Sequence, residues 1–248
     1  MNKSQTWIEL AEQRAREAEP RPCEAEALRS FAGAAEACRA HGWAEACPWR
    51  TLGASGAIVG VCALAERERL YSQQCGRLLT AGVPLRERAI ILAALRPESP
   101  IELAATAPLR AVDSWAVDPL AAALLVLGGS RGVGKTIAAC WALAWRAGLY
   151  LTAYELAPGL NMHALKSAEL LVIDQVGRET RGASDYARLQ LEELIDARHA
   201  RREPTILCCN LNERDFRAEY DGAITDRLNA GRFVFVRGAS MRKQEGGQ

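Results

Sequence analysis

The segment Gly129-Ser130-Arg131-Gly132-Val133-Gly134-Lys135-Thr136 constrains this chain more than any other, and it directly follows the apolar run Ala121 to Leu127. It fits G-x-x-x-x-G-K-[ST], the phosphate-binding P-loop. Glycines let the backbone turn sharply and bring its N–H groups close to phosphate oxygens. Lys135 supplies a point charge for the β- and γ-phosphates, and Thr136 a hydroxyl ligand for Mg²⁺. An Ala-rich helix over 135–147, stopping at Gly148, would aim its positive end at the same anion. Strand, loop and helix occur in the order the motif requires, so the expected cofactors are ATP and Mg²⁺.

The chain has 248 residues, 49% of them apolar, enough for one large domain or two modest ones. Its 31 basic and 30 acidic side chains leave a formal charge of +1. No global field draws it to nucleic acid or membrane, so such binding needs a local patch. Arg198, Arg201 and Arg202 form the densest basic cluster, at a helix end. The longest apolar runs, 89–95 and 120–127, are too short for a bilayer, and the first residues lack a signal-peptide core. The expected setting is the cytoplasm, with the 8 cysteines as thiols. Cys23, Cys38, His41 and Cys47 invite a zinc reading, but only Cys38 with His41 approaches ligand spacing, so packed thiols are preferred.

In the first third, helical patterns fit 4–18, 24–40 and 58–80, the last ending at Gly82 and Pro84. No strand pattern occurs there. An apolar stretch at 89–95 and a short helix over 109–117 lead to the P-loop strand. Beyond the P-loop, apolar strands at 149–153, 170–174, 205–209 and 232–236 alternate with helical patterns at 135–147, 161–167, 184–200, 213–220 and 223–229. That alternation means a parallel sheet covered on both faces, with ligands at the carboxyl ends of its strands. Gly129, Asp174 and Asn210 all fall at such ends. Asp174 has the position of a Walker B carboxylate that holds Mg²⁺, and Asn210 that of a group orienting water or the γ-phosphate.

Several motifs resemble one family in order. The segment Leu170-Leu171-Val172-Ile173-Asp174-Gln175-Val176-Gly177-Arg178-Glu179 resembles the LLVIDDLGxE signature of the DnaC/IstB-like AAA+ ATPases, bacterial helicase loaders and transposition helpers. Glu193-Leu194-Ile195-Asp196-Ala197-Arg198-His199 with Pro204-Thr205-Ile206 is similar to its ExIDARYxxxxPTI stretch. Asn210-Leu211 stands at its sensor 1, Asp226-Arg227-Leu228 matches its DRL segment, and Gly238-Ala239-Ser240-Met241-Arg242 its GxSxR ending. Ala81-Gly82-Val83-Pro84 is similar to its AGIP stretch, so the likeness covers about 77–242.

The resemblance implies an α/β AAA+ core over 119–248, a parallel sheet flanked by helices, with lead-in helices at 83–118. Outside that likeness, the helical patterns of the first third read as a smaller all-α domain over 1–82 that would dock a protein partner. The resemblance also implies ATP held between subunits of an ATP-dependent oligomer. Arg227 would be an arginine finger acting in trans, Arg242 a sensor 2-like contact, and Glu179 a catalytic carboxylate beside Asp174 and Asn210. The implied partner is a replicative DNA helicase, loaded onto single-stranded DNA that is itself bound weakly, or else a transposase. Gln175 departs from the family, which has a second acid there. Gln accepts no proton at neutral pH, so slow hydrolysis, or an ATP-gated adaptor, is also open. A small-molecule kinase would need an Arg-bearing lid, and the pattern after Asp174 is a plain helix.

Overall fold

The structure is a computed structural model that describes residues 63–95, 106–116, 123–177, 185–220 and 222–240. Three helices come first: α1 (Ala63–Thr80), α2 (Leu85–Leu95) and α3 (Ala107–Ala116). Then follow β1 (Leu124–Gly129), α4 (Lys135–Trp145), β2 (Leu149–Thr152), a 3₁₀ turn (Ala153–Glu155), α5 (Met162–Ser167) and β3 (Leu171–Val176). The last elements are α6 (Asp185–Ala200), β4 (Thr205–Cys209), α7 (Glu213–Glu219), α8 (Ala223–Asn229) and β5 (Arg232–Val236). Every strand and helix expected beyond residue 123 is present, with ends shifted by a few residues.

The five strands form one parallel sheet in the order β2-β3-β4-β1-β5. Side chains alternate across it, as strand geometry requires. Leu125, Leu127, Val172, Ile206 and Cys208 face a core with α1 to α4. Leu124, Val126, Leu171, Ile173 and Leu207 face the opposite core, with α5 to α8. The result is an α/β core: a parallel sheet between two helical layers, with β1 leading into the P-loop.

Leu78, Ala81 and Val83, at and just beyond the end of α1, belong to the same hydrophobic core as α4. Arg77 strengthens that seam by donating from Nη1 to the carbonyls of Ala144 and Trp145, at 3.3 and 2.9 Å. Those are last-turn carbonyls of α4, which a cation satisfies both by hydrogen bonding and through the helix dipole. The helical patterns at 4–18 and 24–40, and Cys23, Cys38, His41 and Cys47, lie outside the described residues. Cys140, Cys208 and Cys209 are buried and form no disulfide. Burial, reinforced by the charge of Asp174, pushes the Cys140 and Cys208 thiols well up. They act as small apolar residues. Among the described residues no helix is long and apolar enough to cross a membrane.

Arg198 departs from its expected place in a solvent-facing basic cluster. It is fully buried (0% exposed) beneath α6. Its Nε donates to Thr205 Oγ1 at 2.9 Å, Nη1 to the carbonyls of Leu165 and Ala168 at 2.7 and 2.9 Å, and Nη2 to the Pro204 carbonyl at 2.7 Å. Burial lowers its pKa to about 10, so it stays charged at neutral pH. Of the three, only Arg201 and Arg202 face solvent.

Candidate nucleotide site

The P-loop turns through two left-handed glycines, Gly132 (φ 82°) and Gly134 (φ 91°). A Cβ at Gly132 would collide with the side chain of Ser240, which the chain beyond β5 lays against the loop. Gly134 is the N-cap of α4 and makes no side-chain cap bond. The first amides of α4 are therefore directed into the loop, as an anion requires. Glycine, and nothing larger, gives a cradle of this shape.

Lys135 is 7% exposed, and its ammonium lies inside the cradle. Its Nζ donates to the carbonyls of Gly129 (2.8 Å) and Ser130 (2.7 Å), and to Asn210 Oδ1 (3.3 Å). Asn210 follows β4, whose neighbour in the sheet is β1. Adjacent strands thus deliver the P-loop and Asn210 side by side. Thr136 Oγ1 donates to Asp174 Oδ2 at 2.9 Å, which joins the start of α4 to β3. A hydroxyl and a carboxylate in contact offer hard oxygen donors suited to Mg²⁺. The cradle, the buried ammonium and this oxygen pair fit a magnesium–nucleoside triphosphate. Ser130 and Arg131 are exposed at the loop's rim, and Val133 is buried under it.

Asp174 has more partners than a Walker B pattern announces. Gln175 N–H donates to its Oδ1 at 2.8 Å, and the Tyr150 hydroxyl to its Oδ2 at 3.3 Å. Gln175 has φ 61°, a left-handed conformation for a non-glycine residue. It sits where the β3–β4 register shifts between Ile173 and Val176, so β3 bulges beside its own carboxylate. Bulges commonly re-aim side chains next to functional sites. The next residue but one, Gly177, donates its N–H to Tyr220 Oη at 2.7 Å, which pins the strand exit.

Not every expected residue converges here. Arg227 lies on α8 at the other end of the sheet, where its carbonyl and that of Leu124 both adjoin Gly231. Leu124 opens β1 and Gly129 closes it, five steps of about 3.3 Å apart. Arg227 thus lies well beyond reach of its own P-loop. Its guanidinium pairs with Asp196 on α6, Nε and Nη2 both donating to Oδ1 at 2.9 and 2.6 Å. Glu179 and Arg242 lie outside the described residues. Tyr150 is the site-lining residue that motif reading missed, and Ser240, quoted only as part of the GxSxR ending, lies against the loop as well. Tyr150 carries no signal in the sequence, because only the pairing of Thr152 with Asp174, two residues on, brings it to the site.

No protein-family model matches the chain, and no curated protein does. Among solved structures it is similar to AMPPCP-bound DnaA from Aquifex aeolicus, at 18% identity and TM-score 0.44, covering 51% of this chain and 44% of that one. It is similar to DnaI at 21% identity and TM-score 0.41, covering 54% and 80%. A protein from Streptococcus pyogenes serotype M3, provisionally assigned to the primosome, is 16% identical with TM-score 0.49, covering 69% and 98%. The chain spans under half the length of the AMPPCP-bound DnaA structures. By its strand order, its P-loop and the residues gathered around that loop, the described part of this chain is a P-loop α/β core.

Proposed function

We propose that the chain is an ATP-binding AAA+ ATPase of replication initiation that loads a replicative DNA helicase onto single-stranded DNA. The observation that carries the nucleotide part is the meeting of Lys135, Thr136, Asp174 and Asn210 at the carboxyl ends of β1, β3 and β4. Lys135 and the amides of α4 would hold the phosphates, while Thr136 and Asp174 would hold Mg²⁺. Mg²⁺ neutralises charge on the β- and γ-oxygens when bound. Asn210, already on the Lys135 ammonium, would position the γ-phosphate or the attacking water. The helicase part rests on the linked motifs that resemble DnaC/IstB-like loaders. A tagged full-length chain should recover a replicative helicase from its own cells. Recovery of a transposase instead would overturn loading and leave the ATPase reading standing. With Arg198 buried, only Arg201 and Arg202 remain of the basic cluster, so single-stranded DNA would be held weakly and lost as salt rises.

Arg227 supports an ATP-dependent oligomer, because its place at the far end of the sheet suits a neighbour's nucleotide and not its own. A planar guanidinium matches charge spreading over γ-phosphoryl oxygens. Arg227→Ala should spare ATP binding and cut hydrolysis. Mixing it with Asp174→Asn should restore part of the activity, since each subunit supplies what the other lacks. Mixtures that never exceed the sum of their components would return the mechanism to a monomer.

A second reading, an ATP-gated adaptor that hydrolyses little, is favoured by Gln175. Its backbone N–H is committed to Asp174, and its side chain cannot take a proton. Turnover should fall below the ordinary range of about 1–10³ s⁻¹. Gln175→Glu should then raise it, by up to the roughly 10²–10⁴-fold that general-base catalysis provides, with ATP affinity little changed. If Glu179 already acts as the base, Glu179→Gln will be the more damaging change and Gln175→Glu will do little. Brisk wild-type turnover that neither change alters would remove any role for an acid at either position.

A further inference from the structure

We propose that Tyr150 is a positioning residue for the magnesium-holding carboxylate Asp174, an inference that rests on the nucleotide-site reading above. Strand register brings the two residues together. Tyr150 pairs with Val172 across β2 and β3, and Thr152 pairs with Asp174. Alternation puts Tyr150, Val172 and Asp174 on one face of the sheet, the face that α4 covers. Tyr150 and Asp174 are then diagonal neighbours, a separation that an aromatic side chain spans. The hydroxyl completes the reach, donating to Asp174 Oδ2 at 3.3 Å.

The ring that carries this hydroxyl is fixed on several sides. β2 is the edge strand of the sheet. Its outer edge is closed by the turn after α1, where the Tyr150 N–H donates to the Ala81 carbonyl at 2.7 Å. The ring itself packs against the α4-side core. Burial, and then the neighbouring Asp174 charge, push the phenol far above its usual value.

Asp174 has particular need of such a donor. The carboxylate stands beside a bulge whose next residue is in a left-handed conformation, so the strand sets the face of Asp174 but not the plane of its carboxylate. Three donors do so instead: Thr136 Oγ1 and Tyr150 Oη on Oδ2, and the Gln175 amide on Oδ1. An ionised carboxylate offers about four lone-pair sites, so these three fix its plane and leave capacity for one more donor. Thr136 and Gln175 are tied to the P-loop and to the bulge. Tyr150 is the donor that comes from a separate, rigid strand. Outer-shell partners of metal-holding carboxylates commonly tune metal affinity without touching the metal.

Tyr150→Phe keeps the ring and removes only the hydroxyl, so the fold is retained. The test is a titration of Mg²⁺ against binding of a fluorescent ATP analogue by the full chain, in wild type, Tyr150→Phe, Asp174→Asn and the double variant. Affinity measured in EDTA should be the same for wild type and Tyr150→Phe. The Mg²⁺ concentration giving half the metal-dependent gain should rise about tenfold in Tyr150→Phe, at the low end for outer-shell changes because the bond is long. In the Asp174→Asn background the same substitution should add nothing. An unchanged Mg²⁺ requirement, an equal shift in both backgrounds, or a matching loss of affinity in EDTA would each overturn the proposal. Absence of nucleotide binding by the wild type would instead overturn the nucleotide-site reading beneath it.

Discussion

Lys135→Ala should weaken ATP binding by about a hundredfold or more while the protein stays folded. The ammonium is nearly buried and reaches the loop's interior, where the β- and γ-phosphates would lie. A charge-assisted bond in such a place contributes about 1.5–3 kcal/mol. Each 1.4 kcal/mol is about tenfold in affinity, so removing the bonds to both phosphates gives an effect of the expected size. The fold survives because the partners left behind, the Gly129 and Ser130 carbonyls and Asn210 Oδ1, line the cradle that would receive the phosphates, where water replaces the ammonium. Calorimetry with Mg²⁺ present, paired with a thermal melt, checks both halves. Equal affinity in the two proteins would remove the P-loop from the mechanism. A collapsed melt would make Lys135 a structural residue.

This loop is legible in the residue pattern because glycine spacing and a following helix are local signals. The strands are legible for a related reason. A central parallel strand is buried on both faces and reads as an unbroken apolar run, as in Leu171-Val172-Ile173 and Ile206-Leu207-Cys208. Ends and exceptions are harder. β3 continues past Asp174 to Val176, because the bulge at Gln175 lets the strand resume pairing one residue late. No pattern of residue types announces a left-handed glutamine. Tyr150 is hidden differently: its apolar ring satisfies the strand pattern, and only pairing between strands shows where its hydroxyl goes.

Charged residues on helices are the least legible. Arg227 and Arg198 both belong to motifs that resemble one family, yet one lies half-exposed on Asp196 and the other is enclosed. Composition treats them alike. Helical phase does separate them in part, since Leu191, Leu194, Ile195 and Arg198 recur at the three- and four-residue steps of a buried stripe. Leu189, an apolar residue of the same helical pattern, is off that stripe and 59% exposed. Phase therefore outweighs residue type: the off-stripe leucine is in water and the on-stripe arginine is in the core.

Arg198→Met should consequently be among the most destabilising single changes in the core, by about 3–5 kcal/mol. The sign is not obvious, because exchanging a buried ion for an apolar residue of similar length is often neutral or favourable. It is neutral when the partners can be replaced as well. Here they are backbone carbonyls and one hydroxyl, which no side-chain exchange removes. The Pro204 carbonyl would keep the Leu171 N–H as a donor, and Thr205 Oγ1 would keep its bond to the Glu203 carbonyl. The Leu165 and Ala168 carbonyls, in the last turn and at the cap of α5, would lose the cation that closes that end of the helix. Each buried group left without a partner costs about 1–3 kcal/mol. At about 2–4 °C per kcal/mol for a chain of this size, the melting temperature should fall by roughly 6–20 °C. Arg198→Lys, which keeps the charge without the planar fork, should fall between wild type and Met. Melting of Arg198→Met within about 2 °C of wild type, less than the cost of one lost bond, would show that water or a small shift of α5 replaces the guanidinium. ATP affinity of the folded variant should be unchanged, because α5 and the start of β4 are at the opposite end of the sheet from Lys135.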